Sequence, residues 1–245
     1  MNDLIRRLRQ ELQMNADPET LASAKRFFKE NETPKLIGLK SSVVGKIGKK
    51  YLAEIKKTKL SKEEVYALCD ELWQSGYLEE MGVACLWSEA QAKNYQPEDF
   101  EVFAGWVGNY VTNWGACDTL CNHTVGALIT MYPCLADRLL GWAKSPNRWV
   151  KRASAVSLIV PAKHGHFFEH VIRIADILLT DTDDMVQKGY GWLLKSASAA
   201  REQKVFDYVM KNKSVMPRTA LRYAIEKMPP ERRKLAMMKD GGQSR

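Results

Sequence analysis

Apolar residues recur three and four positions apart along almost the whole chain, and strict alternation of apolar with polar residues is nearly absent. The first spacing belongs to a helix with one buried face, the second to a half-buried strand, so the pattern predicts an all-helical protein. Helices are expected near 2–14, 17–30, 38–57, 61–75, 78–93, 97–112, 116–131, 133–143, 147–161, 166–180, 184–199, 201–212, 216–227 and 229–239. Several of their ends have a mechanical cause. Asp17-Pro18 and Gln96-Pro97 put a proline in a first turn, where its missing N–H has no partner to lose. Ser61-Lys-Glu-Glu64 has the spacing of a reciprocal cap, and Gly76, Asn94, Pro133, Gly165 and Asn212 mark stops.

Many helices of this length, joined by tight turns, form either a bundle or a solenoid of stacked pairs. The pairs recur about every 35–42 residues, near the period of HEAT-like repeats, although the repetition is one of pattern and not of residues. The fold expected is an α-solenoid of HEAT-like repeats, in which side chains one repeat apart lie side by side along a concave face. No long Gly/Ser/Pro linker interrupts the pattern, so residues 1–240 are expected to form one repeat domain, with 241–245 as a flexible tail.

Composition narrows the class. Hydrophobic residues make up 45% of 245, enough for a sizeable core and too many for a disordered chain. No apolar run approaches the roughly 18 residues that span a bilayer, and Met1-Asn-Asp-Leu-Ile-Arg-Arg-Leu-Arg9 reads as a charged amphipathic helix and not as a secretory signal. A monomeric cytoplasmic protein with no membrane partner is the expectation. The five cysteines show no finger spacing, since Cys117 and Cys121 are a helical turn apart, and they are read as reduced, mostly buried thiols. Charge changes the picture more. Residues 1–62 carry 15 basic and 7 acidic side chains, residues 63–140 carry 2 and 12, and residues 141–245 carry 20 and 10. Two basic arms around an acidic middle suit a polyanion gripped at two places.

The candidate chemistry centres on Tyr110-Val-Thr-Asn-Trp-Gly-Ala-Cys-Asp118-Thr-Leu-Cys121. Trp114-Gly115 reads as a loop-like dipeptide before a helix that starts near Ala116; if Trp114 lies within the first turn, it shares a face with Asp118. An indole offers its π-face to positive charge and a carboxylate offers a full negative charge. Taken alone the pair also suits a core indole and a carboxylate complementing the helix dipole. Arg152 follows Asp118 by 34 residues and Trp192 follows Arg152 by 40, about one repeat each, which would align an acid, a guanidinium and two indoles along one face. Other motifs fall short. His166 and His170, with Glu169, offer fewer than the four ligands of a closed metal site. Gly38-Leu-Lys-Ser-Ser-Val-Val-Gly-Lys46 lacks both the Gly-Lys-Ser/Thr ending and the preceding strand of a phosphate loop. No metal or organic cofactor is expected. Trp73, Trp87, Trp106, Trp142 and Trp149 are assigned to the core.

The segments Trp114-x-x-x-Asp118, Asn147-Arg-Trp-Val-Lys-Arg-Ala-Ser154 and Val186-Gln-Lys-Gly-Tyr-Gly-Trp-Leu-Leu194 together resemble the AlkD-like family of bacterial DNA alkylation-repair glycosylases. Weaker likeness runs through Lys25-Arg-Phe-Phe-Lys29, Glu71-Leu-Trp73 and Met216-Pro-Arg-Thr-Ala220, in consistent order over most of the chain. The resemblance implies a HEAT-like solenoid holding duplex DNA in its groove and excising positively charged N3- or N7-alkylated purines. It implies that Asp118 is the catalytic carboxylate, that Trp114 and Trp192 pack on the lesion's deoxyribose, and that Arg152 holds the backbone beside it. Phe27, Lys40, Lys151, Lys195 and Arg218 are the further DNA contacts expected. Two departures stand out: Gly115 and Ala116 replace bulkier residues and would loosen the wall beside the sugar, and Phe27 stands where relatives often carry a tyrosine. The rival expectation is a non-catalytic HEAT-like module that binds DNA or a protein partner. Asp118 speaks against it, because a mere binder gains nothing from an anion facing phosphate.

Overall fold

The structure, a computed structural model, describes residues 2–29 and 34–238. The expected tail at 241–245 lies outside the described residues. The fold is all-α. Its helices are α1 (Asn2–Met14), α2 (Pro18–Lys25), α3 (Ser41–Thr58), α4 (Lys62–Gln74), α5 (Leu78–Glu89), α6 (Asp99–Asn109), α7 (Trp114–Thr119), α8 (Gly126–Met131), α9 (Ala136–Ala143), α10 (Arg148–Val156), α11 (Ile159–Lys163), α12 (Phe168–Leu178), α13 (Asp184–Asn212), α14 (Arg218–Ile225) and α15 (Pro230–Met237). Short 3₁₀ turns occupy Ala92–Asn94 and Pro133–Leu135, and a π turn, Leu120–Val125, joins α7 to α8. Among the described residues there is no strand, only one isolated bridge between Lys35 and Tyr77, and no helix is long and apolar enough to cross a membrane.

The expected start signals work as their chemistry dictates. Asp17 caps α2 through Glu19 N and Thr20 N with Pro18 as the first helical residue. Ser61 and Glu64 exchange both bonds of the reciprocal cap at α4. Several predicted segments differ from the observed helices, and α2 stops at Lys25, short of the expected 30. The segment predicted as 147–161 is broken between α10 and α11, because Pro161 has no N–H to give Ser157 and its ring crowds that carbonyl. The segment predicted as 116–131 is interrupted by the π turn. The segments predicted as 184–199 and 201–212 are merged in α13, yet Arg201 (φ −137°, ψ 44°) is not helical, so a break does fall between them.

The chain divides into two compact units, Met1–Thr124 and Val125–Arg245. In the first, α5 packs against α3, α4 and α7, and α1 against α3. Its core holds Leu72, Trp73, Trp87, Tyr95, Phe100 and Phe103, all nearly devoid of solvent contact. Arg9 of α1 reaches Glu80 (3.0 Å) and Glu71 (3.0 Å), pinning α1 across the ends of α4 and α5. The segment before α3 is laced to α5. Leu78 N donates to Lys35 O (2.9 Å), and the buried Glu79 carboxylate accepts from Ile37 N (3.0 Å), Gly38 N (2.8 Å) and Leu39 N (3.2 Å). Gly38 has φ +100° and accepts from Asp17 N (3.0 Å); a Cβ there would stand 2.8 Å from Leu21 Cβ, so only glycine lets this segment pass over α2.

In the second unit α13 is the central element, packed against α10, α11, α12 and α14. Tyr190 is fully buried and donates its hydroxyl to Leu179 O (2.9 Å). A Cβ on Gly191 would meet Tyr223 Cβ at 2.7 Å and Ala220 O at 2.8 Å, so the close approach of α14 depends on its absence. Of the tryptophans assigned to the core, Trp73, Trp87, Trp106 and Trp149 are buried and Trp142 is half-buried. None of the five cysteines is in a disulfide; Cys69, Cys85, Cys117 and Cys121 are buried and Cys134 is exposed.

Candidate functional site

The first unit carries Trp114 and Asp118 on α7. The helix begins earlier than the Trp114-Gly115 dipeptide leads one to expect. Asn113, extended at φ −150°, ψ 162°, accepts from Ala116 N (2.9 Å) through its side chain and from Cys117 N (3.1 Å) through its carbonyl. Trp114 is therefore the first helical residue, and Asp118, four residues on, shares its face. The indole is held from two sides. Its Nε1 donates to Phe27 O (3.2 Å), and its ring stacks on Phe28 with centroids 5.6 Å apart and planes at 27°. Gly115 does not leave a hole: Leu78 Cδ1 and Phe28 Cζ come within 3.7 and 3.8 Å of where a Cβ would be.

Trp114 and Asp118, both half-buried, line a cleft of about 860 Å³ walled by α2, α3, α5 and α7. Phe27, Phe28, Lys40 and His123 line it too. Phe27 contributes an exposed ring, 68% accessible, besides the carbonyl that fixes the indole. The walls carry more acid than base. Asp17 at one edge is held below the usual carboxylate range, first by the Thr20 hydroxyl and then, against the opposing effect of burial, by the N–H groups of Thr20 and Glu19 and the charge of Lys40. Such a cleft, aromatic and anionic, suits a planar or sugar-like group bearing positive charge.

The second unit carries Arg152 and Trp192. Arg152 on α10 is only 5% exposed; its Nη1 donates to Met185 O (2.6 Å), and its stem lies across Gly189 of α13. A Cβ on Gly189 would stand 3.3 Å from Arg152 Cγ. Trp192 is half-buried on α13. Three of the remaining expected cations have acidic or carbonyl partners. Lys151 pairs with Asp181 (2.6 Å), Lys195 pairs with Glu226 (2.9 Å) and lies over the Tyr223 ring, and Arg218 donates to Met237 O (3.3 Å). Lys40 is exposed at the N-cap of α3. His170 faces Asp137 at 3.4 Å, and no group of three metal-ligating side chains occurs among the described residues.

Comparison with known proteins adds what these contacts leave open. The sequence model of the family described as "DNA alkylation repair enzyme" matches residues 8–228. The chain belongs to that family. Among solved structures, a predicted DNA alkylation repair enzyme from Enterococcus faecalis is similar over 88% of this chain and 98% of its own, with a TM-score of 0.76 and 18% identity. At that identity the likeness speaks for the fold, an all-α helical-repeat architecture. No curated protein matches the chain. This DNA alkylation repair family member has its role in alkylation damage repair, and DNA is what it acts on.

Four features of this family member's site escape the sequence reading. Asn113 carries the signal of a cap, an Asn at the mouth of a helix, but the glycine two residues on masks it. Phe28 appears in the Lys25–Lys29 segment without any sign that it, and not Phe27, meets the indole face. The π turn has no residue-type signature. Nor does the contact between His123 Nδ1 and Glu89 Oε1 (3.5 Å), both of which line the cleft with Asp118.

Proposed function

We propose that the protein is a DNA glycosylase that removes positively charged N3- and N7-alkylated purines from duplex DNA by hydrolysing the N-glycosidic bond, as a monomer and with no metal or organic cofactor. The observation that carries this reading is the pairing of Asp118 with Trp114, four residues apart on α7 and lining one cleft. Breaking the bond builds positive charge on the sugar. A carboxylate already fixed beside that charge stabilises it without reorganisation, and an aromatic face adds to the effect. An alkylated purine is cationic before the bond breaks and departs neutral, so the reaction needs no general acid. In this reading Asp118 faces the developing charge, Trp114 and Trp192 pack on the deoxyribose, and Arg152 holds the backbone beside the lesion. Phe27, Lys40, Lys151, Lys195 and Arg218 contact the duplex along a HEAT-like repeat surface.

The test is release of free 7-methylguanine from a duplex carrying one such lesion, measured under single-turnover conditions. Asp118→Asn keeps the shape and removes the charge. Its rate is expected to fall roughly 10- to 1000-fold, the range of a single electrostatic stabiliser. Duplex affinity should hold or rise, because an anion facing phosphates is lost. If the wild-type protein retains duplex DNA tightly and frees no base, the non-catalytic module is the better reading.

A further inference from the structure

We infer that His123, oriented by Glu89, is the base that takes the proton from the water attacking the sugar. The inference rests on the glycosylase reading and adds a second reacting group to it. It begins with the π turn. Such a turn spends an extra residue compared with an α-helix, and it occurs mostly as a single-turn insertion, frequently at functional sites. Here it starts at Leu120, two residues after Asp118. In an uninterrupted α-helix a residue five positions on points well away from the first. The wider turn advances by a smaller angle per residue and so reduces that divergence, and both side chains line the same cleft.

Glu89, from the last turn of α5, meets His123 from the other side, with Oε1 3.5 Å from Nδ1. A negative charge 3.5 Å from one ring nitrogen favours the tautomer with its proton on that side, which leaves the Nε2 lone pair as acceptor. The same carboxylate argues against the other use of a histidine in a DNA enzyme, as a cation gripping phosphate, since it would face the phosphate too. The step balances. The water oxygen bonds to C1′ as the C1′–N bond breaks, the bonding pair goes to the purine nitrogen and neutralises its charge, and the water proton goes to His123 Nε2. Asp118 stabilises the sugar cation throughout.

Both side chains are about half exposed, so their variants should fold. The experiment is single-turnover release of 7-methylguanine by full-length wild type, His123→Ala, Glu89→Gln, the double variant and Asp118→Asn, each at saturating protein. General bases contribute roughly 100- to 10,000-fold, and a leaving group already charged lowers the demand, so His123→Ala should lose roughly 10- to 100-fold. Added imidazole should restore part of that loss and leave Asp118→Asn unchanged, since the cleft is open enough to admit it. Glu89→Gln should lose a few-fold alone and nothing further once His123 is gone. A wild-type protein that frees no base overturns this inference together with the glycosylase reading. Normal excision by His123→Ala beside a slow Asp118→Asn overturns it alone. So does a His123→Ala that is weak in duplex binding yet normal in rate at saturation, or one whose slow rate imidazole does not raise.

Discussion

Truncation of Glu79 tests how the cleft is held in shape. Its carboxylate accepts three backbone N–H groups, from Ile37, Gly38 and Leu39, at 2.8 to 3.2 Å, and the residue is 6% exposed. Hydrogen bonds to a charged group contribute about 1.5–3 kcal/mol each. The three share one carboxylate, and the segment ends at the exposed Lys40, where water can reach part of the released backbone. Glu79→Ala should therefore cost about 3–5 kcal/mol, below the simple sum for three such bonds. For a chain of this size that corresponds to a fall in Tm of roughly 6–20 °C. Thermal and urea unfolding followed by circular dichroism measure it. Hydrogen exchange adds the local signature: the amides of Ile37, Gly38 and Leu39 should lose protection while the core of α4 keeps it. Because the same segment braces α2 through Gly38 O and Asp17 N, and α2 leads into the Phe27–Phe28 clamp on Trp114, base release should slow as well. A Glu79→Ala protein within 1 kcal/mol of wild type, with those amides still protected, would refute the reasoning.

Three further changes follow from contacts described above. Glu226→Gln should free Lys195 from its 2.9 Å partner and, if that lysine meets phosphate, raise duplex affinity about two- to three-fold and steepen its salt dependence by up to about one unit of slope; unchanged affinity at low salt would remove Lys195 from the interface. Gly191→Ala should destabilise by about 1–3 kcal/mol, since the new methyl meets Tyr223 Cβ and the Ala220 carbonyl below 3 Å, and a variant as stable as wild type in urea would show that α14 can shift at little cost. Glu11 is held below its ordinary value, first by Lys50 and then, against burial, by the Tyr51 hydroxyl. A depressed carboxylate contributes stability that is fully present above about pH 4.5 and is lost as pH falls through the folded-state value. Glu11→Gln should therefore flatten the acid side of the stability profile and leave its slope near neutrality unchanged, as denaturant midpoints from pH 3 to 7 will show.

Much of the architecture was legible because local chemistry and tertiary structure agree. The bounds of α1, the cap at Ser61 and the proline start of α2 all follow from residues within a few positions of the boundary. Where a decision depends on distant partners, the sequence is mute. Glu79 reads as one more acid in a first helical turn, and only the fold shows that it reaches back some 40 residues to hold a loop. Arg152 stands in a recognisable motif, but nothing in that motif tells that it is buried against α13, so its truncation carries a folding cost besides any loss of DNA contact. Gly115 reads as loop because the residues that close the space beside it, Phe28 and Leu78, come from elsewhere in the chain. The 3.6-residue period also ran on through Pro161, where the missing donor should have outweighed it.

Gly189 has a consequence that reaches past this one chain. The stem of Arg152 rests where a methyl group would be, 3.3 Å from Cγ. Glycine and alanine codons differ by a single nucleotide, so mutation offers that methyl in every lineage. An alanine would not abolish the arginine; it would lift the guanidinium by a few tenths of an ångström and off the Met185 carbonyl. Relatives that use this arginine for the same task should therefore have kept glycine beneath it, and those that carry alanine should show a compensating change at the position of Met185 or a shorter cation in place of Arg152. The two positions would evolve as a pair, and the glycine would record by its persistence how finely the charge above it must be placed.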